Sequence, residues 1–322
     1  MKSTAKKIRF RELGIFIAFI ALMAILAVVS KGNSLNPRNL ILVVKQASIN
    51  GILSVGMMYV IIAGGIDLSV GSILAVTGVV ASMFAHPDEY PLLVPILLSI
   101  AIGLLLGTFN GVIISLGKIP PFIVTMGMMT MARGLALILS GGSPIYNISR
   151  PFENIAGGFF PSSTFAYRVP ILSVYFLIIV IVGAFILTKT VFGRHVYAVG
   201  GNEMSAQVSG INVTAIKIAV YAISGMLAGI SGMLLASRIV SGNPNSGMGY
   251  EMDAIAAVTI GGVSMSGGAG KWYGVVIGTL FIAVMGNGLD LLGMQSHLQY
   301  IIKGAIIIVA VLYDMYGKNR RS

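Results

Sequence analysis

A chain of 322 residues in which 56% are hydrophobic and only 10% charged lacks the polar surface a water-facing globule needs, since soluble domains carry about 25% charged residues. A mean hydropathy of +0.93, with 41 glycines and 18 methionines suited to close helix packing in lipid, marks an integral membrane protein. The formal charge of +11 does not imply nucleic acid, because the bases cluster beside apolar runs; the lack of cysteine excludes disulfides, thiolate metal sites and a thiol nucleophile.

Five of the first eleven residues are basic: Lys2, Lys6, Lys7, Arg9 and Arg11. The apolar run from Leu13 to Ser30 that follows approaches the ~20 residues needed to cross hydrocarbon and carries no A-x-A cleavage pattern. It reads as a first transmembrane helix rather than a signal peptide. Further apolar runs lie at 40–63, 70–85, 91–115, 122–140, 169–187, 214–236, 252–265, 273–292 and 297–313. The runs at 70–85 and 252–265 are short for a span and read as tilted, broken or re-entrant. The expected fold is all-α and polytopic, with about ten transmembrane helices in one domain over residues 1–322.

Ten spans put both termini on one side, and the charges favour the cytoplasm for that side. The inside then holds the five N-terminal bases, Lys118, Lys189, Arg194, Lys217, Lys271, Lys318, Arg320 and Arg321. The outside holds only Lys31, Arg38, Arg150, Arg168 and Arg238. The acidic turn His86-Pro87-Asp88-Glu89 falls outside. So does the glycine- and proline-rich connection 141–170, which reads as a structured loop with a short helix. The segment Thr188 to Val213, a polar island in an apolar chain, falls in the cytoplasm. An internal echo relates Gly64-Gly65-Ile66-Asp67-Leu68-Ser69-Val70-Gly71 to Gly261-Gly262-Val263-Ser264-Met265-Ser266-Gly267-Gly268. Both copies fall on one side, which an inverted repeat does not do, so shared turn chemistry or chance explains the echo as well as duplication does.

Candidate chemistry is sparse. His86, His195 and His297 form no H-x-x-x-H or H-E-x-x-H spacing, and no metal or catalytic residues are assigned. The nearest approach to a Walker A loop, Met265 to Trp272, lacks the first glycine and the final hydroxyl, so no built-in ATPase is expected. Asp67 in GGIDLSVGS is either an amide cap for the third helix, with Ser69 and Ser72, or part of a gate or translocation path. Lys45, Arg133 and Lys303 fall inside spans and either line a polar cavity or snorkel to an interface. Asp253 and Asp290 fall near outer span ends and are expected to be exposed. Nearly every acidic residue maps to a loop or span end, which leaves a proton- or ion-coupled carrier short of buried carboxylates and puts the energy source outside this chain.

Three segments in order, GGIDLSVGS (64–72), GRHVYAVGGNEMSAQVSGINV (193–213) and GYEMDAIAAVTIGGVSMSGGAGKWYGVVIGT (249–279), resemble the permease subunits of bacterial ABC importers for monosaccharides. That family serves ribose, xylose, galactose, allose and autoinducer-2, and the ribose-type members are the most similar, from about residue 13 to 315. The resemblance implies a multi-pass inner-membrane homodimer with a fold like the vitamin B12 importer type rather than the maltose permease type. It also implies a cytoplasmic ATPase that binds ATP and Mg, an extracytoplasmic sugar-binding protein, no cofactor in this chain, and ATP-driven alternating access. A stand-alone secondary carrier or channel is the alternative. In the family, the loop at 188–213 couples to the ATPase, which singles out Gly193, Arg194, Gly200, Gly201, Asn202, Glu203, Ala206 and Gly210. Asn202 suits a helix N-cap and Glu203 a first turn, while Glu203, Ala206 and Gly210 partly match the E-A-A…G pattern of other ABC permeases. The binding protein is expected to dock on the loops 141–170 and 238–251.

Overall fold

Helix starts follow local side-chain chemistry that hydropathy does not reveal. Asn36 accepts from the Arg38 amide at 3.0 Å ahead of Pro37, and Asn212 accepts from the Ala215 amide at 3.0 Å. The computed structural model describes residues 2–87, 89–159, 169–295, 297–299, 301–305 and 308. Its named α-helices are α1 (Lys2–Val29), α2 (Pro37–Ile62), α3 (Val70–Met83), α4 (Leu93–Gly117), α5 (Pro121–Leu139), α6 (Arg150–Gly157), α7 (Ile171–Lys189), α8 (Val191–Gly201), α9 (Glu203–Val208), α10 (Val213–Ile239), α11 (Tyr250–Ile260) and α12 (Trp272–Leu291). Residues 297–299, 301–305 and 308 are also helical. No β-ladder forms among the described residues; only the isolated bridges Ile145–Gly242 and Phe159–Pro170 occur.

Among the described residues six helices, α2, α4, α5, α7, α10 and α12, are long and apolar enough to cross a membrane. The expected short helix of the 141–170 connection is α6. Asp88, Arg168, Lys318, Arg320 and Arg321, with residues 160–168 and 309–313 of the expected loop and last span, lie outside the described residues.

Helices α2 and α10 form the buried centre. Glycine lets α4 cross α10 backbone to backbone: a methyl at Gly107 would stand 2.3 Å from the Tyr221 carbonyl oxygen. The outer faces of α4, α5 and α7 stay apolar and exposed, as at Leu105, Ile138 and Phe185. One end of the bundle gathers α8, α9, the end of α2 and the loop after α11, tied by hydrogen bonds from Gly268 N to Ile62 O and from Tyr197 Oη to Gly270 O, both 2.8 Å. The opposite end gathers the end of α3, α6 and the end of α10, tied by Ser149 N to Ala85 O at 2.8 Å and Ala156 N to Ser237 Oγ at 2.9 Å.

The two short predicted runs are broken helices. Helix α3 has 14 residues and α11 has 11, about 37 Å end to end at the α-helical rise, or little more than one ordinary span. Their amino termini meet inside the bundle, where a methyl on Gly71 would stand 2.3 Å from the Gly247 carbonyl oxygen. The 238–251 segment therefore does not project as an outer loop. It turns inward past Gly242, which packs on Ser82, and runs beside α3 to Gly247, about 16 Å along the helix axis.

Candidate functional site

The polar island folds as two short helices across one end of the bundle. Thr190 caps α8 by accepting from the Gly193 amide at 3.2 Å, and Asn202 caps α9 by accepting from the Ser205 amide at 2.8 Å. Glu203 occupies the first turn of α9 and pairs with Lys217 of α10 at 2.7 Å. Ala206 is buried beneath the helix, whereas Met204 and Val208 are 76% and 85% exposed. Arg194 also faces outward. Gly210 adopts the left-handed conformation (φ +84°) that reverses the chain into α10. Gly193 and Gly200 point the other way: a methyl at Gly193 would stand 2.0 Å from the Leu187 carbonyl oxygen, so this glycine seats α8 on the end of α7. A cavity of about 790 Å³ opens between α9, the α4–α5 turn and the start of α10, lined by Lys118, Glu203, Gln207 and Lys217 among others. Burial raises the Tyr197 phenol on α8, against a smaller opposing effect of Lys271.

Asp67 lies fully buried between α2 and α3. Its Oδ1 accepts from the Ser69 amide at 3.0 Å and the Ser69 hydroxyl at 2.5 Å, and its Oδ2 accepts from Ser224 Oγ of α10 at 2.8 Å. Ser69 Oγ in turn accepts from Asn110 Nδ2 of α4 at 2.9 Å, and Tyr221 Oη donates to Ile66 O at 3.1 Å. Asp67 thus braces the turn ahead of α3 without capping the helix, whose N-cap Ser69 makes no side-chain cap bond; the carboxylate ties that turn to α10 and, through Ser69, to α4. The remaining Asn110 Oδ1 is buried without a partner.

Arg133 of α5 holds the inward-running segment: Nη1 donates to Pro244 O and, at 2.9 Å, to Ser246 O. Those carbonyls belong to non-helical backbone, which inside a bundle of membrane-crossing helices needs such partners because lipid supplies none. The Glu251 carboxylate packs against Gly71 at the meeting of α3 and α11 and interacts electrostatically with Arg133. Sequence reasoning passed over Glu251; the signal was an acidic residue two positions after the glycine-rich SGNPNSGMG stretch.

Asp253 corrects the expected placement at an exposed outer end. It is buried, pairs with Lys303 at 2.9 Å and accepts from Asn50 Nδ2 at 3.5 Å. The half-helix α11 carries it into the bundle, whereas the sequence alone puts it near an outer span end. Asp290 is exposed as expected. With Asp67 and Asp253 buried and Glu251 largely covered, the expected scarcity of interior carboxylates does not hold. Lys45 sits on α2 with its Nζ 5.0 Å from the centre of the Phe159 ring. The structure thus brings Arg133 to the broken-helix junction and Lys303 to Asp253, and leaves Lys45 apart, at the Phe159 end. Among the described residues no group of three or more His, Cys, Asp or Glu side chains gathers as a metal site would require.

Broken helices meeting in the bundle interior, with their unwound backbone satisfied by side chains, define a polytopic membrane protein of the transporter type. The family model described as branched-chain amino acid transport system / permease component matches residues 39–311, and the chain belongs to that family. It is similar to the ribose import permease protein RbsC of Haemophilus influenzae, 41% identical over 302 residues that cover 93% of this chain and 92% of the relative. The Bacillus subtilis RbsC is 39% identical over 98% of this chain and 97% of its own length. The xylose transport system permease protein XylH of Escherichia coli is 33% identical over 99% of this chain and 95% of its own length. No solved structure matches the chain.

Proposed function

We propose that this chain is the membrane subunit of an ATP-driven importer that admits a monosaccharide to the cytoplasm, with D-ribose the first candidate and xylose the second. The similarity to ribose and xylose permeases supports the substrate class. The observation that carries the mechanism is the α8–α9 pair, which turns Met204 and Val208 outward at an end rich in charged residues. Two apolar side chains on a six-residue helix have no packing role within the chain and suit a groove on a partner. That partner is a cytoplasmic ATPase holding ATP and Mg, with Arg194, Gly201, Asn202, Glu203 and Gly210 presenting or shaping the docking surface. Both termini then lie in the cytoplasm.

A second copy of this chain completes the path, in a fold of about ten spans akin to the vitamin B12 importer type. ATP binding moves α8–α9, and the helices flanking the path alternate between outward and inward openings. Arg133, Glu251 and Lys303 are assigned to the path. Asp67 and Ser69 shape its gate by holding the start of α3, and Lys45 lies towards the outer mouth. A sugar-binding protein delivers the solute at the opposite end, and the chain itself breaks no covalent bond.

The test is uptake into proteoliposomes containing the chain, its ATPase and its binding protein. ATP-dependent accumulation of labelled ribose is expected. Gradient-driven uptake by this chain alone would instead establish a secondary carrier or channel.

A further inference from the structure

Gly200, at the end of α8, faces inward. A methyl group there would stand 1.7 Å from the Ile62 carbonyl oxygen at the end of α2 and 2.7 Å from the Gly268 nitrogen. Real Cβ contacts do not come this close, so only glycine fits without moving backbone. The same point joins the two halves of the sequence echo. Gly64 follows α2 and leads into the segment that starts α3; Gly267 and Gly268 follow α11 and lead into α12. A methyl at Gly267 would stand 2.7 Å from Gly200 O and 3.0 Å from Gly64 Cα, and one at Gly268 would stand 2.6 Å from Gly201 Cα. Gly268 N donates to Ile62 O at 2.8 Å, closing the end of α2, and Tyr197 of α8 donates to Gly270 O at 2.8 Å.

We infer that Gly200 is a positioning residue for transport: it passes displacement of α8–α9 to both broken helices at once. Contact between backbones transmits movement where flexible side chains would absorb it, because packed backbone has no rotamers to yield. On one branch the push reaches Gly64 and, through the buried Asp67 junction, the start of α3. On the other it reaches Gly267 and Gly268, and through their loop the end of α11. Both copies of the echo thus reach α8, through non-equivalent glycines: Gly64 in the first, Gly267 and Gly268 in the second. The inference rests on the importer reading, but it assigns Gly200 to transmission inside the membrane subunit rather than to the docking surface.

The experiment compares the reconstituted complex of unmodified chain, ATPase and binding protein with the same complex carrying Gly200→Ala. Sugar uptake and ATP hydrolysis are measured in one preparation, after the bound ATPase has been quantified. Bound ATPase and continuing hydrolysis with uptake lost is the expected result. Uptake and hydrolysis both unchanged would overturn the inference. Should Gly200→Ala fail to assemble, Tyr197→Phe decides, since it removes only the hydrogen bond to Gly270. A fall in sugar moved per ATP hydrolysed supports transmission through this contact, and an unchanged ratio overturns it. Failure of the importer reading looks different: the unmodified chain then neither binds the ATPase nor depends on it for uptake.

Discussion

Asp67 and Ser224 are joined by a 2.8 Å hydrogen bond although 157 residues separate them in sequence. The bond fastens the start of α3 to the middle of α10, and Asp67 holds the Ser69 amide and hydroxyl at the same time.

Removing this carboxylate leaves three buried donors to compete for nothing. Each unsatisfied buried group costs about 1–3 kcal/mol. Asp67→Ala is therefore expected to lower the thermal unfolding temperature in detergent far more than Ser224→Ala, which strands one acceptor position on an otherwise bonded carboxylate. Equal losses from the two variants would show that the carboxylate does not organise the junction.

Arg133 makes a separate prediction. Its Nη1 donates to both the Pro244 and Ser246 carbonyls, a position that the shorter lysine side chain reaches poorly. Arg133→Lys is expected to loosen the 243–249 segment while leaving the long helices intact. Hydrogen exchange followed by mass spectrometry checks this: amides in 243–249 should exchange faster and those of α4 and α10 should not. Unchanged exchange in that segment would mean that packing against Gly71 holds it without the arginine.

What the sequence made legible was local. Asn202 and Glu203 could be read as a cap and a first turn because the partner amide lies three residues away, within reach of any chain that turns there. The shortness of the runs at 70–85 and 252–265 was visible too, since helix length follows directly from the extent of an apolar run. Asp253 was misread for a physical reason. A run read as starting at the outer surface puts its first acid there, whereas α11 begins inside the bundle and its acid meets Lys303 fifty residues later. Gly200 was legible as a glycine but not as a contact: turn glycines and glycines that admit another backbone have the same letter, and only the neighbouring chain distinguishes them.

The Asp253–Lys303 pair gives a test with a recovery arm. Lys303→Met leaves a mostly buried carboxylate without its cation, which costs about 3 kcal/mol when such a pair is broken from one side. Replacing both partners, Lys303→Met with Asp253→Leu, removes the stranded charge and is expected to restore most of the stability. Thermal unfolding of the single and double variants in one detergent measures the difference. A double variant no more stable than Lys303→Met would show that the polar environment around Asn50 needs the pair itself.

The outward face of α9 bears on how the chain meets its ATPase. Glu203 and Lys217 form an exposed pair, and such pairs contribute at most about 1 kcal/mol, so Glu203→Gln should change the fold little. Met204 and Val208 are more exposed still and make no core contact whose loss would destabilise the bundle. Introducing a charge at either position is therefore silent for folding but costly wherever that face must be desolvated against a partner. Met204→Asp and Val208→Asp are expected to leave the unfolding temperature unchanged and to weaken ATPase binding by tenfold or more, about 1.4 kcal/mol. Co-purification and titration of the ATPase onto the permease in detergent read this directly. Undiminished binding by both variants would show that neither Met204 nor Val208 belongs to the docking surface.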